Sequence, residues 1–398
     1  MKNTTPPDYI EFLLNRLVSG GHESYLVGGS VRDALLNRPV HDWDVATSAK
    51  PVEVASLFEK TVLTGEKFGT VTVVLPECTV EVTTFRKECE YSDSRHPGKV
   101  EFVSDIYEDL SRRDFTINAI ASTIDGQLID PFNGVSDIEK GIIRCVGGPN
   151  TRFSEDALRM YRALRFSAEL GFTIETETLK AIYANMALVK RVSGERIRVE
   201  LEKTLMSQRP EVAGEMIKIG LLEKYITVSG NAPEGLERIK NLPAEQTLRV
   251  CAFCGILINK AYIKSVSELL HALHFDGKTI KTCLRALAIP AFPSERIEIK
   301  RLLSKNDATV VRCAAAVSDV LSETGRESAL EKTNSIISGG ESVTIGELAV
   351  SGKDLMELGH SSGKELGETL NKLLEHVLEN PGDNRREVLL GLAETIKQ

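Results

Sequence analysis

The chain contains no apolar run approaching the ~18–20 residues that a transmembrane helix needs, and its opening stretch, MKNTTPPDYIEF, has no hydrophobic core of a signal peptide. A cytoplasmic protein with no membrane partner is therefore expected. Cysteine is sparse: seven scattered residues, an odd number, exclude a disulfide framework. Cys251 and Cys254 form a CxxC with no second Cys or His pair nearby, so two buried thiols in an apolar helix fit better than zinc. An excess of basic charge is also missing, since 49 Lys and Arg face 57 Asp and Glu. The whole chain thus lacks the electrostatic footprint of a nucleic-acid binder. One segment reverses that balance: residues 278–312 hold eight basic residues (Lys278, Lys281, Arg285, Arg296, Lys300, Arg301, Lys305, Arg312) against three acids. This is either a phosphate-tracking surface or a solvated helix face.

At 398 residues the chain exceeds what one core serves, and 42% hydrophobic with 27% charged residues is ordinary for soluble globular domains. Residues 1–148 mix the two periodicities. Helices are expected at 7–19, in SVRDALLN and around 51–59; strands in SYLVGG, HDWDVAT, GTVTVVL and TVEVTTF; and a strand pair near 122–130. Residues 89–102 are polar with Pro and Gly and read as a long loop, and DLSRRDFTINAIAS reads as a helix. Beyond about 150 strand signals almost vanish and apolar residues recur at helical spacing. The outline is an α/β head followed by a long helical body.

Chemistry concentrates in LVGGSVRDALLNRPVHDWDVAT, residues 26–47. On a strand alternate residues share a face, so Asp42 and Asp44 point the same way. Two adjacent carboxylates repel unless a cation lies between them. An isolated D-x-D also fits a solvated edge strand, but here Gly28-Gly29 precedes it, letting backbone N–H groups approach a ligand at a helix start. Arg32, one turn on, could bind phosphate or simply pair with Asp33. Glu81 in VEVTT is a candidate third carboxylate from a neighbouring strand, although the same alternation fits any exposed position. Together these suggest a site where a triphosphate meets divalent metal.

These residues, with RRDFTINAIA (112–121), DPFNGVSDIEKGIIR (130–144), EDALRMYRALRFSAELGF (155–172) and RVSGERIRVEL (191–201), resemble the five ordered motifs of class II tRNA nucleotidyltransferases, the bacterial CCA-adding enzymes and their poly(A) polymerase relatives. The resemblance implies an elongated multi-domain protein: an α/β nucleotidyltransferase head (1–148), then an all-helical neck for base recognition (149–205), body (206–310) and tail that binds tRNA (311–398). It implies Asp42 and Asp44 as the Mg²⁺-binding pair, Gly29 and Arg32 as triphosphate contacts, Arg113 as a further nucleotide contact and Asp114 as the residue facing the ribose 2′-OH. The expected reaction is template-independent addition of C, C and A to the tRNA 3′ end from CTP and ATP, with pyrophosphate released.

Asp156, Arg159, Arg162 and Arg165 recur every three residues and read as a drifting stripe along one helix. Arg offers only donors and a carboxylate only acceptors. Cytosine and adenine each present an acceptor ring nitrogen beside an amino donor, so Arg159 and Asp156 could match both. Guanine and uracil reverse the pattern, at about 1–3 kcal/mol per mismatched buried bond. Arg162 and Arg165 would hold phosphate or orient this side-chain template, as the family pattern suggests. Residues 86–102 keep the family's full-length spacing, which favours complete CCA addition. A-only or C-C-only addition, poly(A) synthesis and a non-catalytic RNA-binding scaffold stay open at this point, as does the oligomeric state, a homodimer included.

Overall fold

The computed structural model describes residues 6–40, 42–91, 97–226, 231–322 and 328–397. The chain divides into two compact units, one of Met1–Thr204 with Glu215–Lys224, the other of Leu205–Gly214 with Tyr225–Gln398.

In the first unit, helix α1 (Asp8–Ser19) buries Ile10, Leu13, Leu14 and Leu17, the i, i+3, i+4, i+7 face of an amphipathic helix. The chain then alternates β1 (Ser24–Val27), α2 (Gly29–Leu35), β2 (Asp44–Thr47) and α3 (Pro51–Leu57), followed by β3 (Thr61–Gly65), β4 (Thr70–Val74) and β5 (Thr79–Thr84). β6 (Arg86–Tyr91) and β7 (Pro97–Phe102) form a separate antiparallel ribbon. Helix α4 (Ile106–Ser111), the short pair β8 (Ala121–Ser122) and β9 (Leu128–Ile129), and helix α5 (Gly134–Lys140) complete the α/β part. The seven-stranded sheet has the order β3-β4-β5-β2-β1-β8-β9. Within it β2 and β5 run parallel, with Asp44 beside Glu81, while the other pairs are antiparallel. Alternation sets the two faces: Val71, Val73, Val80 and Val82 are buried, and Thr70, Glu81 and Thr83 turn the other way into a cleft.

Four helices follow: α6 (Pro149–Glu155), α7 (Leu158–Leu170), α8 (Thr176–Ala184) and α9 (Gly194–Met206). α7 is central, with ten of its thirteen residues buried.

Three expectations are corrected. The strand carrying the D-x-D starts at Asp44, leaving Asp42 and Trp43 in the approach to it. In the segment expected as a loop, residues 89–91 and 97–102 belong to the two strands of the ribbon; backbone bonds hold it, and polar residues on both strands hide the alternation that would reveal it. Of the segment 86–102, whose spacing favours full CCA addition, residues 92–96 lie outside the described residues. DLSRRDFTINAIAS is one short helix, a turn, a single 3₁₀ turn at Thr116–Asn118 and then β8.

The second unit is helical. Its helix Gln246–Asn259 buries both thiols of the CxxC. Burial raises the Cys254 thiol, and contact with the thiols of Cys283 and Cys313 raises that of Cys251. The basic segment 278–312 is not one surface. Lys300 is buried, with its ammonium 2.5 Å from Glu341 and 2.9 Å from the Leu378 carbonyl. Arg301 pairs with Glu298, Glu375 and Glu379, and Arg312 with Glu245. What stays exposed on helix Gly277–Leu287 is Lys278, Lys281 and Arg285. Among the described residues no helix is long and apolar enough to cross a membrane.

Candidate active site

A cleft of about 710 Å³ in the first unit is lined by all eleven residues singled out above: Asp42, Asp44, Glu81, Gly29, Arg32, Arg113, Asp114, Asp156, Arg159, Arg162 and Arg165. Strands supply its acidic floor. Asp44 enters at the start of β2 with Glu81 beside it on β5. Desolvation by the cleft walls raises the Asp44 carboxyl above the usual range against the pull of Arg113, and the charges of Glu81 and Asp42 push the same way. Among the described residues no group of three or more His, Cys, Asp or Glu closes into a metal cage. The Asp42 and Asp44 carboxylates are hard oxygen donors that fit Mg²⁺, which is held by one or two carboxylates and completes its shell from substrate phosphate and water.

Gly28 joins β1 to α2 with φ +71 and ψ −132, a conformation that L side chains avoid. A Cβ there would lie 2.9 Å from Arg113 Nη1 and 3.6 Å from Asp44 Oδ2, so this glycine lets the guanidinium and carboxylate share the backbone's flank. Arg113 is held from behind by Asp109, 1% exposed, which binds both Arg112 (2.8 Å) and Arg113 (3.2 Å). Burial would raise Asp109, but those two arginines outweigh it and its carboxyl lies below the usual range.

Arg32 is buried and donates to Asp33 (3.0 Å) and to Asn118 Oδ1 (2.7 Å). Its guanidinium lies 5.1 Å from the centre of the Phe166 ring, and those of Arg162 and Arg165 lie 5.2 and 4.1 Å away. One buried ring thus gathers three cations from α2 and α7. Asp114 is also buried and accepts three hydrogen bonds, from Phe115 N–H (2.8 Å) and Asn118 Nδ2 (3.1 Å) on Oδ1 and from Arg162 Nε (2.7 Å) on Oδ2, where Arg162 Nη2 adds an ion-pair contact at 2.6 Å. Burial raises this carboxyl, yet Arg162, Asn118 and Arg159 overturn that and lower it far. Oδ1 thus carries two donors and Oδ2 one, within the ion pair to Arg162.

The expected stripe is broken at its first member. Asp156 ends α6 in extended backbone (φ −145, ψ 106), and its carboxylate accepts from the Leu158 N–H at 3.0 Å, capping the start of α7. Only Arg159, Arg162 and Arg165 ride on α7. Arg159 donates to Glu155 (2.5 Å) and to the carbonyls of Arg152 (3.1 Å) and Arg112 (3.0 Å). Arg165 pairs with Glu200 of α9 at 2.6 Å. Asp156 is gripped by Arg196 of α9 through two bonds, 3.1 and 2.8 Å. Arg196, Asn118, Asp109 and Phe166 belong to the site and were not singled out from the sequence. Arg196 lies inside RVSGERIRVEL, so the motif marked the place without marking the residue.

Three family models match the chain: the Poly A polymerase head domain over residues 24–144, "Probable RNA and SrmB- binding site of polymerase A" over 171–226, and tRNA nucleotidyltransferase domain 2 over 252–393. A CCA-adding enzyme of Enterococcus faecalis is 36% identical over 99% of this chain and 98% of its own length. One from a Geobacillus species is 39% identical over 94% and 93%. The crystal structure of the Bacillus stearothermophilus CCA-adding enzyme in complex with CTP superposes with a TM-score of 0.76 at 33% identity, covering 98% of each chain.

Proposed function

This chain belongs to the family of CCA-adding enzymes, the template-independent tRNA nucleotidyltransferases, and we propose how its cleft carries out that reaction. The observation that supports the reading is the convergence of every candidate residue, from both strands and helices, on one cleft of the first unit. The relative from B. stearothermophilus was solved with CTP, and that base and triphosphate are what this cleft receives, with ATP following in the same place.

Asp42 and Asp44, with Glu81 beside Asp44, would hold Mg²⁺. Bound there, the ion supplies activation of the tRNA 3′-hydroxyl and neutralises charge on the departing pyrophosphate. The chain's own groups do the rest. Arg113, braced by Asp109, balances the acidic floor and meets the nucleotide from above. Gly29 brings its backbone, and Arg32 its guanidinium, to the triphosphate. Asp114, held by Arg162 and Asn118, faces the ribose 2′-OH. Asp156 and Arg159 read the amino group and ring nitrogen that cytosine and adenine share, and Arg165 with Arg162 keeps α7 cationic along the cleft.

In the proposed division of labour the head (1–148) and neck (149–205) form this cleft. The body and tail (206–398) hold tRNA, and the exposed Lys278, Lys281 and Arg285 are the basic face for its backbone. The enzyme would act in the cytoplasm, where its tRNA substrate is made. Incubation with tRNAs ending before the first C, the second C or the A, with CTP and ATP supplied separately, tests the product. Addition of two C residues from CTP alone and one A once ATP is present is expected; extension by only C-C, by only A, or without limit by A would overturn it.

A further inference from the structure

The contacts of Asp156 distinguish its two oxygens. Oδ1 accepts from the Leu158 N–H (3.0 Å) and from Arg196 Nη1 (3.1 Å). Among the described residues Oδ2 accepts from Arg196 Nη2 only, at 2.8 Å. A carboxylate oxygen offers about two lone-pair sites. Oδ1 is therefore full and Oδ2 retains one. Arg196 and Asp156 are both mostly buried, with side chains 22% and 18% exposed, and both line the cleft. Arg196 comes from α9 while Asp156 sits at the break between α6 and α7, so the fork fixes the carboxylate from outside its own element.

We infer that Arg196 is a positioning residue for base selection: by holding the Asp156 carboxylate plane at both oxygens, it leaves Oδ2 as the single acceptor facing the incoming base. This rests on the reading in which Asp156 faces that base. A held acceptor takes the amino hydrogen of cytosine N4 or adenine N6. The same lone pair opposes the carbonyl of uracil O4 or guanine O6, and it cannot swing aside while both Arg196 bonds stand. Loss of the fork frees the carboxylate to rotate, and rotation removes the penalty against the wrong bases before it removes the ability to bind the right ones. Planar bidentate geometry matters here, so Lys does not replace Arg.

The test is the ratio of kcat/KM for CTP over UTP on a tRNA lacking its 3′ end, with thermal midpoints recorded for every variant. Arg196→Ala is expected to lower the ratio by about tenfold or more, the scale of one misplaced charge-assisted hydrogen bond. Arg196→Lys and Arg196→Gln, which keep length but lose the fork, are expected to lower it as well, and they carry the test should Arg196→Ala not fold. In an Asp156→Ala background, removing Arg196 is expected to change the ratio no further. If Asp156→Ala lowers the ratio but all three Arg196 variants keep it at the wild-type value, the positioning role is overturned and the base reading stands. A fall in CTP turnover with an unchanged ratio is a structural effect and overturns it equally. If Asp156→Ala itself leaves the ratio unchanged, the base reading fails and takes this inference with it.

Discussion

Two buried or crowded carboxylates in one cleft are driven in opposite directions by their neighbours. Burial in the cleft disfavours the charged form of Asp44 against the pull of Arg113, and Glu81 and Asp42 add to that; Asp114 is buried too, but Arg162 outweighs the burial and its charged form is favoured. In protein free of divalent cation, Asp44→Asn therefore removes repulsion with Asp42 and Glu81. It is expected to leave the thermal midpoint unchanged or raised in EDTA, while lowering nucleotide transfer by about 10²–10³-fold or more, the scale seen when preorganised charge is lost from a site. Asp114 and Asp109 have the contrary sign. Their folded pKa lies below the unfolded value, so their stabilisation is complete above the ordinary carboxylate range and is lost as pH falls through and below it. Thermal midpoints measured from pH 6 down to 3 should fall less steeply for Asp114→Asn than for wild type, from a lower starting point. Arg162→Ala, which strands a buried carboxylate, is expected to cost about 3–5 kcal/mol in urea unfolding.

At the scale of elements, the turn between β1 and α2 carries the most constraint. Gly28→Ala forces a side chain into φ +71 and against Arg113, and should cost about 1–3 kcal/mol by urea unfolding together with a loss of transfer, whereas the same change at Gly126, which shares the backbone strain at φ +81 but where a Cβ meets nothing within 4 Å, should lower stability and spare activity. Much of this layout was legible beforehand because it rests on patterns that the backbone enforces locally. The i, i+3, i+4, i+7 stripe of α1 and the β-branched alternation of β4 and β5 each name their own buried face. What was not legible depends on groups distant in sequence. The polar β6–β7 ribbon is specified by backbone pairing rather than by apolar residues. The break at Asp156 arises because a carboxylate that can cap the next turn competes with helix continuation, and spacing alone cannot tell whether it does. The partners of the arginines were equally hidden: Arg196 finds Asp156 across forty residues, and Asn118 finds Arg32 across eighty-six. Motif order led to the cleft; only tertiary packing says which guanidinium in a motif holds which acid.

At the scale of the molecule, the acidic total conceals a basic region of which half, Arg296, Lys300, Arg301 and Arg312, is paired with acids of the same chain. Lys300 and Arg301 are structural ties, so Lys300→Ala should lower stability by about 2 kcal/mol, the loss of hydrogen bonds to a charged group, and leave the salt dependence of tRNA binding as it was. Lys281→Ala and Arg285→Ala should each lower the slope of log affinity against log salt by about 1 without a stability penalty of that size. The two units also interleave along the chain. The fully buried Tyr161 of α7 donates its hydroxyl to the Leu221 carbonyl at 2.5 Å, a residue that returns to the first unit after the chain has already entered the second. A cut after residue 204 therefore strips the central helix of a bond at its heart, and a first unit ending there is expected to melt at a lower temperature than one carried through residue 224.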